Sequence, residues 1–383
     1  MNSKKLLVVS ITLCLGQWGC NAKSGNQTMS TNQADVPLLS RTILFGNPER
    51  AMPKVSPDGR QLAYLAEIDG VMNVWVAPVE NPTAAKPVTQ EKVRPIRQYQ
   101  WAYNNDQILY PQDQKGDENW HVFATSVKSR DTNDLTPFDQ VNARIDHASD
   151  RFPNDVLIAV NDRDKQFHDV HRVNTLTGER TLVEKNTQYA QFLSDDAFNV
   201  RMAMLMTPDG GGEYSLRSPG GEYTSFAKIA AEDMLTTGPL GYDKSGRELY
   251  FRDSRNENTA VLYQIDSQTN ERKELARDAR ADIEDVMVNP RDGRVQAASC
   301  NYDRQRWQVL DSAIDKDLKY LNGLARGDVE VLSRSDDDSV WTVAISPDDG
   351  ASRYYLYDRA RGDARFLFSS RSKLDGLHLA KMH

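Results

Sequence analysis

Six histidines, His121, His147, His168, His171, His378 and His383, are the side chains best able to move a proton at neutral pH. His168 and His171 stand close together in Phe167-His168-Asp169-Val170-His171. On a helix that spacing would supply half of a metal site. The stretch reads as a strand or its entry, where residues i and i+3 point to opposite faces. No other Cys or His pair completes a ligand set, so no metal is expected. Gly210-Gly211-Gly212 lacks the Gly-Lys-Ser/Thr ending and the following helix of a phosphate loop, and reads as a turn. Asp336-Asp337-Asp338 and Asp348-Asp349 read as solvated turns rather than calcium loops. Asp and Glu number 55, so no carboxylate pair stands out for glycosidase chemistry. A serine lifted on a strained Gly-x-Ser-x-Gly elbow is missing from the sequence. No catalytic residue and no cofactor are therefore expected, and the substrate-binding residues are unknown at this stage.

Bulk properties narrow the class further. The 383 residues carry a net charge of -8, which disfavours nucleic acid as a partner because phosphate binding needs a basic surface. The apolar share of 39% rises to about 45% with the 22 glycines, which is that of a globular chain. No apolar run reaches the length of a membrane-spanning helix. Three cysteines cannot form a disulfide framework.

The start of the chain has the layout of a secretory signal. Lys4 and Lys5 precede the mostly apolar run Leu6 to Leu15, and Gly19-Cys20 follows. A signal peptide is expected over residues 1–19, with an exported product. Cys20 resembles the acceptor cysteine of bacterial lipoproteins. That resemblance implies lipidation at Cys20, a membrane tether through it, and a periplasmic or membrane-anchored location. Residues 20–40 are polar and aperiodic and read as a flexible tether. Cys14 leaves with the leader. Cys300, in Ala-Ala-Ser-Cys, reads as a core residue of a strand.

From Arg41 onward short β-rich runs alternate with Gly, Pro, Asp and Asn turns, and no stretch keeps a helical period. Ser56-Pro57-Asp58-Gly59-Arg60 is a turn by its chemistry: Pro fixes φ, Asp caps and Gly takes positive φ. Gln61 to Leu65 and Asn73 to Ala77 then read as strands, with Lys86 to Thr89 as an edge. Corresponding turn positions fall at Pro57, Asn104, Asp150, Asp195, Lys244, Arg291 and Asp337, at intervals of 45 to 49 residues. Seven units of that length, four strands each, predict an all-β fold: a seven-bladed β-propeller of four-stranded blades over 41–383. Val55, Val286 and Val340 are expected on or near inner strands. The aromatics that follow the period, Tyr64, Trp75, Tyr110, Trp120, Tyr250, Tyr263, Trp307, Trp341 and Tyr357, are expected between blades.

Several of these segments carry a family likeness. Ser56 to Tyr64, Gly70 to Val76, Gly116-Asp117-Glu118-Asn119-Trp120-His121, Asp134 to Phe138 and the opening Leu44 to Glu49 resemble the propeller half of bacterial prolyl-oligopeptidase-type serine peptidases, the group of the dipeptidyl and acylaminoacyl peptidases. The resemblance implies a propeller that caps an active site, with peptide substrates and an α/β-hydrolase segment carrying a Ser-Asp-His triad as its partners. No such triad maps onto these residues. The expectation is a non-catalytic, substrate-gating propeller, truncated or split before its α/β-hydrolase domain and inactive alone. A stand-alone periplasmic propeller binding a peptide or protein partner is the alternative. Acidic propeller residues hold the substrate's amino terminus in dipeptidyl peptidases of this family. No motif here matches theirs, and Glu118 is the acid to test first, with a structural turn as its plain reading.

Overall fold

Turn chemistry sets the frame of the computed structural model, which describes residues 38–377 and 379–381. The signal peptide of 1–19, Cys20, most of the 20–40 tether, His378 and His383 lie outside the described residues. In the first turn Ser56 Oγ donates to Asp58 Oδ1 at 2.6 Å, and the same oxygen accepts from Arg60 N at 3.0 Å. Gly59 sits at φ +73°, where an L side chain is strained. The fifth unit repeats the device. Asp243 Oδ1 accepts from the backbone N of Arg247 and Glu248, at 3.0 Å each, across the turn at Gly246. In the seventh, Asp337 takes Ser335 Oγ at 2.6 Å and Ser339 N at 3.0 Å. These carboxylates satisfy backbone donors that the strand ladder leaves open.

The result is seven antiparallel sheets in chain order, each with neighbouring strands adjacent in sequence. The first strands of the blades are Arg50–Val55, Gln100–Trp101, Ala143–Ala148, Gln191–Ser194, Gly238–Tyr242, Ile283–Val288 and Asp328–Arg334. Val55 and Val286 lie on these inner strands and Val340 opens the strand beside one, as expected. The chain divides into two units, Met1–Ser40 and Arg41–His383, and the blades make up the second.

Seven apolar clusters hold the ring, one at each interface between successive blades. Strand alternation explains how one strand feeds two of them. On Gln61–Ile68, Ala63 and Leu65 face the second blade, while Leu62, Tyr64 and Ala66 face the seventh. Second strands are accordingly apolar on both faces and read as continuous runs, Leu62 to Ala66 being fully buried. Tyr64, Tyr110, Tyr250, Trp341 and Tyr357 are buried between blades, as expected. Trp75 and Trp307 pack at interfaces but stay half-buried. Cys300 is a buried strand residue, also as expected.

The sixth blade departs from the four-strand plan. After Gln305–Val309 the chain forms a short turn at Ser312–Ile314 and then an α-helix, Asp315–Leu324. Asp311 caps the short turn, its Oδ1 accepting from Ala313 N at 2.9 Å. Ile314, Leu318 and Leu321 are buried against Trp341 and Val343 of the seventh blade. That apolar spacing of three and four is a helical one, too short to stand out among strand patterns. Among the described residues no helix is long and apolar enough to cross a membrane.

No strand is shared between the first and seventh blades, so side chains and short backbone contacts close the ring. Val55 N donates to Ser333 Oγ at 2.8 Å, Asp336 N to Pro57 O at 2.8 Å, and Glu49 N to Ser370 O at 2.8 Å. Tyr64 and Phe368 meet with ring centroids 5.2 Å apart, under the Arg50 guanidinium. Arg365 reaches back to the Val79 carbonyl.

Candidate functional site: the central channel

Antiparallel pairing gives the propeller two distinct ends. A first strand runs from one end to the other, and an even number of strands returns the chain to the end where it began. The segment entering the first blade and the segment leaving the seventh therefore meet, through Glu49 N and Ser370 O. We call this the chain-end face. The turns at Pro57, Tyr103, Asp150, Asp195, Lys244, Asn289 and Asp336 mark the opposite, turn face. Between the faces the first strands line a channel.

At the chain-end face a cavity of about 540 Å³ opens among blades one to three. Met52, Leu109 and Trp120 give it apolar walls, and Lys54, Gln100 and Arg144 give it polar ones. Lys54 Nζ donates to the Tyr99 carbonyl at 2.9 Å and lies over the Tyr99 ring. Burial holds the Lys54 amine below its ordinary range.

The turn face is acidic. A cavity of about 460 Å³ there draws on blades two to seven, with Tyr103, Asp146, Asp196, Lys244, Arg334 and Asp336 among its lining. Lys244 of the fifth blade crosses to Asp150 of the third at 2.5 Å, and Arg151 donates to the Lys244 carbonyl at 2.6 Å. His147 Nε2 lies 2.8 Å from Asp196 Oδ1, and Ser194 Oγ donates to Asp146 Oδ2 at 3.2 Å. Burial pushes the Asp336 carboxyl up to about 6; Asp150, Asp337 and Asp58 push the same way and Lys244 opposes. Burial likewise raises the Tyr103 hydroxyl far above its usual range, reinforced by Asp336, Asp196 and Asp150. The chain-end cavity is thus lined by cations, while acids on other first strands, Asp285 and Glu330 among them, face the rest of the channel.

The residues singled out from the sequence are scattered around this channel. His168 and His171 share the strand Phe167–Asn174 but have different neighbours, and both titrate below the ordinary histidine value. Burial is the main cause for each, followed by Arg144 for His168 and Arg180 for His171. Glu118 sits at φ +60° on an exposed turn at the chain-end face. Gly210-Gly211-Gly212 is a turn: Gly210 N donates to Thr207 O at 3.0 Å and Gly212 opens the next strand. Trp120, expected between blades, instead lines the chain-end cavity. Lys54 and Arg144 were not found from the sequence, and Lys244 and Asp336 were read there only as turn residues. Each comes from a different blade, and no local pattern joins them. Among the described residues no group of three His, Cys, Asp or Glu side chains is placed to hold a metal ion, and no serine hydrogen-bonds a histidine.

No family model matches the chain. Curated relatives do. Dipeptidyl aminopeptidase BIII of Pseudoxanthomonas mexicana is 43% identical over 344 residues, 90% of this chain and 50% of the relative. Dipeptidyl peptidase family member 6 of Caenorhabditis elegans is 29% identical over 363 residues, 90% of this chain and 49% of the relative. The chain spans about half the length of the curated relatives it matches. Among solved structures, a prolyl endopeptidase aligns with a TM-score of 0.60 at 9% identity, covering 84% of this chain and 50% of that one. Prolyl oligopeptidase B from Galerina marginata aligns with a TM-score of 0.58 at 9% identity, covering 85% and 51%. Those structural matches speak for the fold, and the bacterial relative speaks for descent. In its sequence this chain is similar to about half of a bacterial dipeptidyl aminopeptidase, and in its fold to prolyl oligopeptidases.

Proposed function

We propose that the propeller is the access domain of an exported serine peptidase. It works with an α/β-hydrolase segment that supplies the Ser-Asp-His triad, admits short peptides through the channel and keeps folded proteins out. Its contribution is steric selection and exclusion of water from the reacting bond, with no bond chemistry of its own. One observation carries the reading: the channel opens at the chain-end face, where both ends of the propeller chain emerge together. The same face exposes Phe45, Val93, Leu235 and Tyr302, apolar groups that a covering segment would remove from water. Export and lipidation at Cys20 belong to the proposal. Mass spectrometry of the mature N-terminus tests them: an unmodified start at Asn21 or later leaves export standing and removes the lipid.

The decisive experiment uses a fluorophosphonate probe and a dipeptidyl substrate. The 383-residue chain alone should neither label nor turn over, and a hydrolase segment added to it should restore both. Serine labelling of the 383-residue chain alone would refute the non-catalytic reading. A hydrolase segment that is equally active and equally unselective with and without the propeller would favour an independent peptide-binding module.

A further inference from the structure

The chain holds 55 acidic and 47 basic side chains, and among the described residues the cations that form no ion pair are mostly exposed to water. Many arginines here are paired, among them Arg163 with Asp169, Arg201 with Asp195 and Arg334 with Asp338. Lys54 and Arg144 are different. They come from the first strands of the first and third blades, both are half-buried, and both line the chain-end cavity. Among the described residues neither has a carboxylate within ion-pair distance. Lys54 spends one of its three donors on the Tyr99 carbonyl. Asp146, two residues beyond Arg144, sits in an irregularity of the strand pairing and takes its hydrogen bond from Ser194; Arg144 favours its charged form from a distance, with no ion pair between them.

We propose that this cavity is a carboxylate-recognition subsite for peptides, with Lys54 and Arg144 as the anion's partners and Met52 and Trp120 as the wall for the peptide's apolar part. The subsite rests on the reading that the channel admits peptides, and it adds a substrate class: peptides with a free C-terminal carboxylate or an Asp or Glu side chain. The chemistry fits each group. Arginine presents a planar fork that matches a carboxylate, and lysine a compact charge on a flexible stem. A half-buried ammonium has lost part of its hydration, and a carboxylate would replace it. The volume of about 540 Å³ suits a ligand of a few residues. The overall charge of -8 repels anions at long range, so selectivity here is a matter of local contact.

The test is calorimetric titration of the 383-residue chain with three peptides: tetra-alanine as the free acid, tetra-alanine amide, and N-acetyl-Ala-Glu-Ala-Ala amide. At least one acid peptide should bind about tenfold or more tightly than tetra-alanine amide. Preference for the first alone assigns the C-terminus; preference for the third assigns the side chain. Lys54→Gln and Arg144→Gln should each reduce the preference, their combination should abolish it, and Arg144→Lys should keep part of it. Thermal unfolding checks the fold of each variant, and if Lys54→Gln does not fold, Arg144→Gln decides alone. Equal binding of all three peptides, or a preference that survives in Arg144→Gln and in the double variant, overturns the subsite and leaves peptide admission standing. No binding of any peptide overturns both.

Discussion

Asp336 shows how the ring loads single residues with electrostatic cost. Its carboxyl is pushed up to about 6, above the ordinary aspartate value, so the charged form is the disfavoured one in the folded chain. The folded state then holds a proton that the unfolded chain releases, and stability falls as pH rises from about 4 through 6. Asp336→Asn should raise the melting temperature at pH 7.5, and the gain should shrink steadily as pH falls through 6 towards 4. Thermal melts across that range check it; a gain independent of pH would show that charge is not the cause. The two tryptophans give a second test at this scale. Trp341 is fully buried and its Nε1 donates to Asp338 Oδ1 at 2.7 Å, while Trp75 is half-buried with a longer bond to the Ala66 carbonyl. Trp341→Ala should cost about 3–5 kcal/mol in urea unfolding, and Trp75→Ala distinctly less. The blade period alone gives both residues the same environment. What separates them is strand position: Trp341 is on a second strand, covered on both faces, and Trp75 is on a third strand, nearer the rim.

The helix Asp315–Leu324 is the element that breaks the plan, and a charged network fixes it to the seventh blade. Asp317 takes Tyr357 Oη at 2.8 Å and Arg359 at 2.7 and 3.0 Å; Arg359 continues to Asp338, which also holds Arg334. Trp341 lies across both guanidinium groups. Removing one member of a buried network strands the others. Asp317→Ala should cost about 3 kcal/mol, measured by chemical denaturation, and Asp317→Asn less, because the amide oxygen can still accept from Tyr357. The blades were legible in the sequence because their signals are local. Ser-Pro-Asp-Gly and its relatives make the turn with their own side chains, and a strand buried on both faces is a continuous apolar run. The helix was not legible, since its apolar stripe spans only Ile314, Leu318 and Leu321. The channel was not legible either. Its first strands are short, down to the two residues of Gln100–Trp101, and each blade contributes only a few side chains to it. A constellation spread over seven segments leaves no spacing to read.

At the scale of the whole ring, the two faces differ in what they ask of their surroundings. The turn face ends mostly in charged and capped loops, with Leu176 56% accessible among them, whereas the chain-end face exposes Phe45 and Leu235, 80% and 90% accessible. Isolated propeller should self-associate through that face. Sedimentation velocity should show concentration-dependent oligomers that Phe45→Glu with Leu235→Lys disperses. Oligomers unchanged by the pair would place the contact elsewhere.

The closure of the ring has a mechanical meaning. The first and seventh blades share no strand, and the chain enters and leaves at their junction, where Glu49 N bonds Ser370 O. A force applied to the two ends therefore pulls on the junction itself. It meets Glu49–Ser370, then Tyr64 against Phe368, then Val55 with Ser333, in series rather than together. Loads borne in series fail one at a time, as a zip does. The ring should part there at low tension and leave intermediate blades folded, since each of those still carries an apolar cluster against its neighbour. In an optical trap the first rupture would be the weakest, with stiffer steps to follow. A propeller fastened by a shared strand would instead resist in shear, with every ladder bond loaded at once.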